Sequence, residues 1–220
     1  MFKFIKNNSW IFIVFIVFIM GSIPVISIYS KDEIHIFINR NNNLLFDFFF
    51  KYITYLGNGI FAVAIGILLV MIRYRYSILV IGSYLFSSLI VQFLKRIIYY
   101  DAPRPIKYFN GIYELHLIDG IEMHRIQSFP SGHAATAFAL FFSLAFISKN
   151  KWYKLFYFIA ALLVGYSRMY LSQHFFIDVY TGAIIGVICA IIIFIYIQTL
   201  HLSWLDLSLL KIIDSRNGKK

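Results

Sequence analysis

Ser167-Arg168-Met169-Tyr170-Leu171-Ser172-Gln173-His174-Phe175-Phe176-Ile177-Asp178 is the stretch on which the reading of this chain turns. It sets an arginine, a histidine and an aspartate inside strongly apolar sequence, where charged and titratable groups are costly and need a reason to be there. His174 and Asp178 are four residues apart, which on a helix puts them on one face. A carboxylate held against an imidazole fixes its tautomer and makes the other ring nitrogen a better nucleophile.

Outward from this run the chain is apolar almost throughout. Of its 220 residues 60% are hydrophobic, and the mean hydropathy is +0.77, which excludes an ordinary soluble domain. Six stretches approach the roughly 20 residues a membrane helix needs. They are Trp10–Ile28, Ile53–Ile72, Tyr76–Leu94, a fourth from Pro130 or Ser131 to Ser148, Trp152 to about Leu171, and about Phe175 to Gln198. The fold expected is all-α: a polytopic membrane protein, a bundle of six transmembrane helices forming a single domain over residues 1–220. Lys3 and Lys6 precede the first stretch, but its apolar run is long for a signal peptide and no small-x-small site follows, so a retained anchor is expected.

The net charge of +10 does not point to nucleic acid once its distribution is read. Six spans place both termini on one side. That side carries Lys3, Lys6, Arg73, Arg75, Lys149, Lys151, Lys154, Lys211, Arg216, Lys219 and Lys220 against Asp206 and Asp214 alone. The positive-inside rule then puts both termini in the cytoplasm, with Trp10, Trp152 and Trp204 near the same boundary. The single cysteine, Cys189, excludes an intrachain disulfide and a cysteine metal cluster.

On the outer side two segments are long. Tyr29 to about Phe50 contains Ile34 to Arg40, expected to lie as an amphipathic helix on the membrane surface. The second, Lys95 to Phe129, holds Asp101-Ala102-Pro103-Arg104-Pro105, whose prolines exclude a regular helix. Alternating helix direction gathers three clusters at this face: Lys95 and Arg96 with Arg104; Pro130-Ser131-Gly132-His133; and Ser167-Arg168 with His174 and Asp178. The second opens a helix, where free N–H groups favour an anion. Two arginine forks and an ammonium suit a tetrahedral oxyanion such as phosphate. His174 is then placed to attack phosphorus in line, with Asp178 keeping a proton on its far nitrogen. No carboxylate cluster is present to hold Mg²⁺, so metal-independent chemistry without a cofactor is expected.

Read together, Lys95…Arg104-Pro105, Pro130-Ser131-Gly132-His133 and Ser167-Arg168-x5-His174-x3-Asp178 resemble the three-part signature of the type 2 phosphatidic acid phosphatase (PAP2) superfamily. The resemblance covers spans three to six. It implies a phosphohistidine intermediate on His174, His133 as the acid protonating the leaving group, and Asp178 orienting His174. It implies Lys95, Arg104, Ser131, Gly132 and Arg168 as the phosphate-binding set. The first part departs from the family pattern: eight residues, not the usual six, lie between Lys95 and Arg104. A local bulge at Tyr99 to Asp101 is expected to absorb them, leaving either Lys95, the favoured choice, or Arg96 at the phosphate.

The activity so implied is hydrolysis of a lipid phosphomonoester or pyrophosphate on the outer face of a cytoplasmic membrane, the lipid entering sideways from the bilayer. Undecaprenyl pyrophosphate, phosphatidic acid, phosphatidylglycerol phosphate and lipid A all fit. The alternatives are a lipid phosphotransferase using the same site, and a non-catalytic phospholipid-binding or transport protein. His35, His116, His124 and His201 lie outside any motif and are expected at the surface or interface. Glu114, Asp119, Glu122 and Arg125 are expected as solvated loop charges, and Asn58 and Gln92 to bond between helices.

Overall fold

A computed structural model describes residues 2–210, with Phe2 and Lys3 described by backbone alone. The basic residues Lys211, Arg216, Lys219 and Lys220, and Asp214, lie outside the described residues. The described chain is all-helical: α1 (Phe2–Ile28), α2 (Lys31–Arg40), α3 (Leu44–Ile53), α4 (Gly59–Val70), α5 (Tyr74–Phe93), the short α6 (Pro105–Tyr108), α7 (Gly132–Ile147), α8 (Lys151–Tyr170) and α9 (Phe176–Thr199).

Helices occupy all six predicted stretches. Three are long and apolar enough to cross a membrane by themselves, at Phe4–Ile28, Tyr74–Ile98 and Phe176–Thr199. The second stretch is not the continuous helix expected. It is a pair bent by 56°, with α3 and a 3₁₀ turn (Thr54–Gly57) before the break and α4 after it. Asn58 makes the break: its side chain accepts from the Ile60 N–H at 3.0 Å, capping α4 and not bonding to another helix. Gln92 is exposed and likewise bridges nothing. At 16 residues α7 is about 24 Å long, short of a ~30 Å hydrocarbon core. α8 is long enough but carries Lys154 and Arg168.

α7 is the centre of the bundle, packed against α5, α8 and α9. Its residues from Ala134 to Phe146 are buried almost without exception. The closest contact is with α9, and small residues make it possible. A Cβ on Gly182 would lie 2.5 Å from the Ser131 carbonyl oxygen, and one on Gly186 would collide with the Ala135 carbonyl. Ala134, Ala135 and Ala139 present the matching small surface on α7. In a membrane, where lipid is as apolar as leucine, such close backbone approach supplies the packing energy that holds helices together.

The other elements are fastened to this core by polar clasps. Lys154 of α8 is buried and donates to the Asn7 carbonyl at 2.8 Å and to Asn8 Oδ1 at 2.5 Å, fixing α1. Arg75 donates to the Ile197 and Leu200 carbonyls and to Asp206, closing the last turn of α9. Beyond Thr199 the chain folds back through a 3₁₀ turn at Ser203–Asp206, whose Leu205 is buried, so the described part of the tail lies against the bundle and does not extend α9.

α2 is bounded by a capping box in which Ser30 and Glu33 satisfy each other's backbone N–H groups. It does not merely float on the surface. Its inner face buries His35, Ile38 and Asn39. His35, expected at the surface, is 1% exposed, packed on Phe109 and Phe175, with Nε2 3.2 Å from Ser172 Oγ. Asn39 donates to the same hydroxyl at 3.2 Å and to the His116 carbonyl at 2.9 Å. His116 is also not free: Nε2 lies 3.1 Å from the Asp47 carboxylate, which Tyr170 also bonds. Alternation along one helix turn explains the misreading, because polar residues that look solvent-facing on an isolated α2 meet polar partners from α8 and the outer loop.

Two expectations follow. Gly186→Val forces α7 and α9 apart and lowers stability by about 1–3 kcal/mol, the usual cost of overpacking. Gly21→Val, where nothing lies within 4 Å, leaves the thermal midpoint in detergent unchanged. Burial holds the pKa of His35 down to about 4, against 6.5 for the free side chain. The unfolded chain therefore takes up a proton that the folded one refuses, so stability present above about pH 6.5 is lost as pH falls toward 4. Thermal unfolding across that window should show a slope shallower by up to about 1.4 kcal/mol per pH unit in His35→Gln than in the wild-type chain.

Candidate active site

The reversal between α8 and α9 builds the centre of the site. Arg168 lies in the last turn of α8, and its carbonyl accepts from the N–H groups of Gln173 at 3.0 Å and His174 at 3.1 Å. The turn needs a left-handed residue, and Ser172 adopts φ +51°. Its strain is held by the His35 and Asn39 bonds to the Ser172 hydroxyl. His174 thus precedes α9 and does not share a helical face with Asp178, contrary to the spacing argument. Asp178 is the third residue of α9, and its Oδ2 accepts from the Phe175 N–H at 3.0 Å, closing the helix N-terminus. The turn swings His174 back over this carboxylate, so that Nδ1 stands 3.4 Å from Oδ2.

That Oδ2 also accepts from Ser128 Oγ at 2.5 Å. With Ser128 and Phe175 holding Oδ2, the contact to His174 is an ion-pair distance and not a completed hydrogen bond; Nδ1 is buried without another partner. Both side chains are buried, His174 at 2% and Asp178 at 3% exposure. Burial first, then the positive charges of Lys95, Arg104 and Arg168 and the neighbouring His133, hold the His174 pKa well below its ordinary value. The imidazole is therefore neutral and carries a nucleophilic lone pair.

The second cluster enters from α7. Ser131 is the N-cap, its Oγ accepting from the Ala134 N–H at 3.4 Å, and Gly132 is the first helical residue. The helix thus begins one or two residues later than the sequence suggests, with Pro130 just outside it. The Ser131 N–H donates to the Asp178 carbonyl at 2.9 Å, which clamps the start of α7 onto the first turn of α9. His133 follows on that first turn, half-buried, its imidazole making no hydrogen bond and lying within electrostatic range of Arg168, Lys95 and Arg104.

Three cations complete the cluster. Arg168 donates from Nη1 to Thr54 Oγ1 at 2.7 Å, while its Nε is buried without a partner. Arg104 is fixed from three directions: Nε donates to the Ile126 carbonyl at 3.0 Å, and Nη1 to the carbonyl and the side-chain oxygen of Gln173. Lys95 donates to the Gln127 carbonyl at 2.9 Å, leaving two of its three protons for other acceptors. All three are buried.

The structure explains the long spacing in the first motif. α5 does not end regularly but widens into a π turn at Leu94–Ile98, in which the Tyr99 N–H reaches back to the Leu94 carbonyl at 2.8 Å. Such a turn absorbs extra residues without breaking the helix. The bulge therefore starts before the expected Tyr99–Asp101 position and runs into a tight turn there. It also separates the two candidate bases: Lys95 turns inward and is buried, whereas Arg96 is exposed.

All eight sequence-selected residues, His174, His133, Asp178, Lys95, Arg104, Ser131, Gly132 and Arg168, belong to this one cluster. Sequence reasoning missed the residues that hold them: Ser128 on Asp178, Thr54 on Arg168, Gln173 on Arg104, and His35 and Asn39 on the turn. Gln173 adjoins His174 in the chain and was open to notice. The rest are small polar residues far away in sequence. Glu114, Asp119, Glu122 and Arg125 are exposed, as expected of loop charges.

Comparison with known proteins agrees with this geometry. Over 64 residues the chain is 40% identical to a lipid A 1-phosphatase of Porphyromonas gingivalis, and over 58 residues 40% identical to a lipid A 4'-phosphatase of Bacteroides thetaiotaomicron. These stretches are 28% and 26% of this chain, and 14% and 26% of those relatives' own lengths. Among solved structures, Aquifex aeolicus LpxE superposes with a TM-score of 0.63 at 32% identity, over 74% of this chain and 94% of that one. A transmembrane PAP2-type phosphatidylglycerolphosphate phosphatase from Bacillus subtilis shares the fold, with a TM-score of 0.57 at 20% identity over 90% of this chain and 99% of that one. The PAP2 superfamily model matches residues 76–202, more than half of the sequence and every one of the eight site residues, and the chain belongs to that superfamily.

Proposed function

We propose that this protein is a metal-independent lipid phosphatase that works through a phosphohistidine on His174. One observation carries the reading: Lys95, Arg104 and Arg168 are buried together around a neutral histidine with Asp178 as their one buried carboxylate among the described residues. Three buried cations against one anion are stable only if the site receives further negative charge, and a phosphoryl group supplies it.

The residues divide the reaction among them. Lys95, Arg104, Arg168, the Ser131 hydroxyl and the free N–H groups opening α7 bind the phosphoryl oxygens. His174 Nε2 attacks phosphorus, forming the N–P bond as the bond to the leaving oxygen breaks. His133 in its protonated form gives that oxygen its proton. Asp178 stabilises the positive charge on the ring, whose second proton stays on Nδ1. Water then attacks phosphorus, His133 takes the proton, and the N–P bond breaks.

The lipid reaches the site from the side. On the π turn that buries Lys95, Ile97 and Ile98 are 64% and 52% exposed, facing where acyl chains would lie. Among candidate lipids, the two local matches at 40% identity favour a lipid A phosphate as the first substrate to assay. The distribution of basic residues favours cytoplasmic termini and an active site on the outer face.

Phosphate release by purified protein tests the reading. His174→Ala abolishes turnover while EDTA leaves the wild-type rate intact; full activity in the variant, or complete loss on chelation, is the contrary result. Lys95→Ala reduces kcat/KM by about 10²- to 10³-fold, as for loss of one transition-state donor. Arg96→Ala stays within a few-fold of wild type. Product analysis with a second lipid alcohol present separates hydrolysis from phosphotransfer. Topology is read by single-cysteine labelling, since Cys189 is buried. An impermeant maleimide should label Ile112→Cys in intact cells and leave Lys149→Cys unlabelled until the membrane is opened.

A further inference from the structure

At the end of the bundle away from His174, about 24 Å along α7, a cavity of ≈ 630 Å³ opens beside the α7–α8 connection. Arg73, Lys149 and Lys154 line it, and no acidic residue does. The only acid nearby, Asp206, lines an adjoining cavity and is already paired with Arg73 at 3.0 Å and Arg75 at 2.8 Å.

Most basic groups at this end have internal work: Arg75 closes α9 and Lys154 pins α1. A positive-inside bias explains their sign but not the shape of what remains. The Lys149 ammonium and the side-chain amides of Asn7 and Gln198 all line the cavity and make no hydrogen bond. Behind them stands an apolar wall of three mutually packed rings. Phe4 stacks on Phe194 with centroids 4.3 Å apart, and both meet Phe146, at 5.0 Å from Phe4 and 5.5 Å from Phe194.

We propose that this cavity binds the phosphate head group of an anionic phospholipid from the leaflet at this end, with an acyl chain along the Phe4–Phe146–Phe194 wall. Unpartnered donors and an acid-free basic lining match a phosphodiester. The adjoining rings match hydrocarbon, and a basic pocket between helices at head-group depth is the usual form of such a site. The bound lipid bridges α1, α7 and α9 at the end where α1 is otherwise held by the Lys154 clasp. It is a structural lipid and not a substrate, because His174 and the other phosphate ligands lie at the opposite end.

The test uses the full chain in phosphatidylcholine nanodiscs doped with phosphatidylglycerol, a diester with no terminal phosphate to hydrolyse. Native mass spectrometry and thermal-shift titration read the binding. Phosphatidylglycerol should be retained in preference to phosphatidylcholine and raise the thermal midpoint. Lys149→Gln should weaken the apparent affinity about five-fold. Arg104→Ala, at the other end, should leave the affinity unchanged, and Lys149→Gln should keep wild-type phosphate release in detergent. Equal retention of the two lipids, or an unchanged affinity in Lys149→Gln, overturns the proposal. So does a loss that follows Arg104→Ala, which would place the lipid at the His174 site, or stabilisation by inorganic phosphate alone equal to that by the lipid.

Discussion

The hydrogen bond from the Ser131 N–H to the Asp178 carbonyl, 2.9 Å long, is the joint on which the site depends. It ties the first turn of α7 to the first turn of α9, and it forms only because Gly182 lets the two backbones close at that level. With the joint made, the N-terminus carrying Ser131, Gly132 and His133 faces the turn carrying His174. Both helix starts then point their free N–H groups at the same polar pocket. A side chain at Gly182 would separate them and leave two half-sites.

Around this joint the protein meets the cost of burying charge in a membrane bundle by over-determining each ionised group. Asp178 serves Phe175 and Ser128 as well as His174. Arg104 is held by two loop carbonyls and a glutamine, and Arg168 by Thr54. These bonds restrict each cation to one orientation, so little reorganisation is needed when a phosphoryl group arrives. The partners come from separate parts of the chain: the α3–α4 break, the outer loop, and α2. That dispersion gives the outer segments a structural role and explains why a helix read as a surface ornament buries His35 and Asn39 against the turn.

The two irregular helices have a related cause. A regular α5 would carry Lys95 and Arg96 round the helix at the usual 100° steps, and the long connection to Arg104 would not fit between the same anchor points. The π turn takes up the excess and turns Lys95 inward. The break at Asn58 brings the Thr54 hydroxyl to Arg168. Neither has a strong local signal, since the first looks like a continuing apolar helix and the second like the middle of a span.

The amino-acid sequence by itself determined the helical membrane class, the approximate place of each helix, and the eight residues of the site. Hydropathy over a bilayer-length window and a motif of charged groups in apolar surroundings are local properties, readable along the chain. Only the tertiary structure decided which lysine or arginine turns inward, that His174 stands before α9 and not on its face, and that His35, Ser128, Thr54 and Gln173 hold the site. Those outcomes depend on contacts between residues up to 137 positions apart, as between His35 and Ser172. They are set by how closely small residues let helices approach, which no single segment encodes.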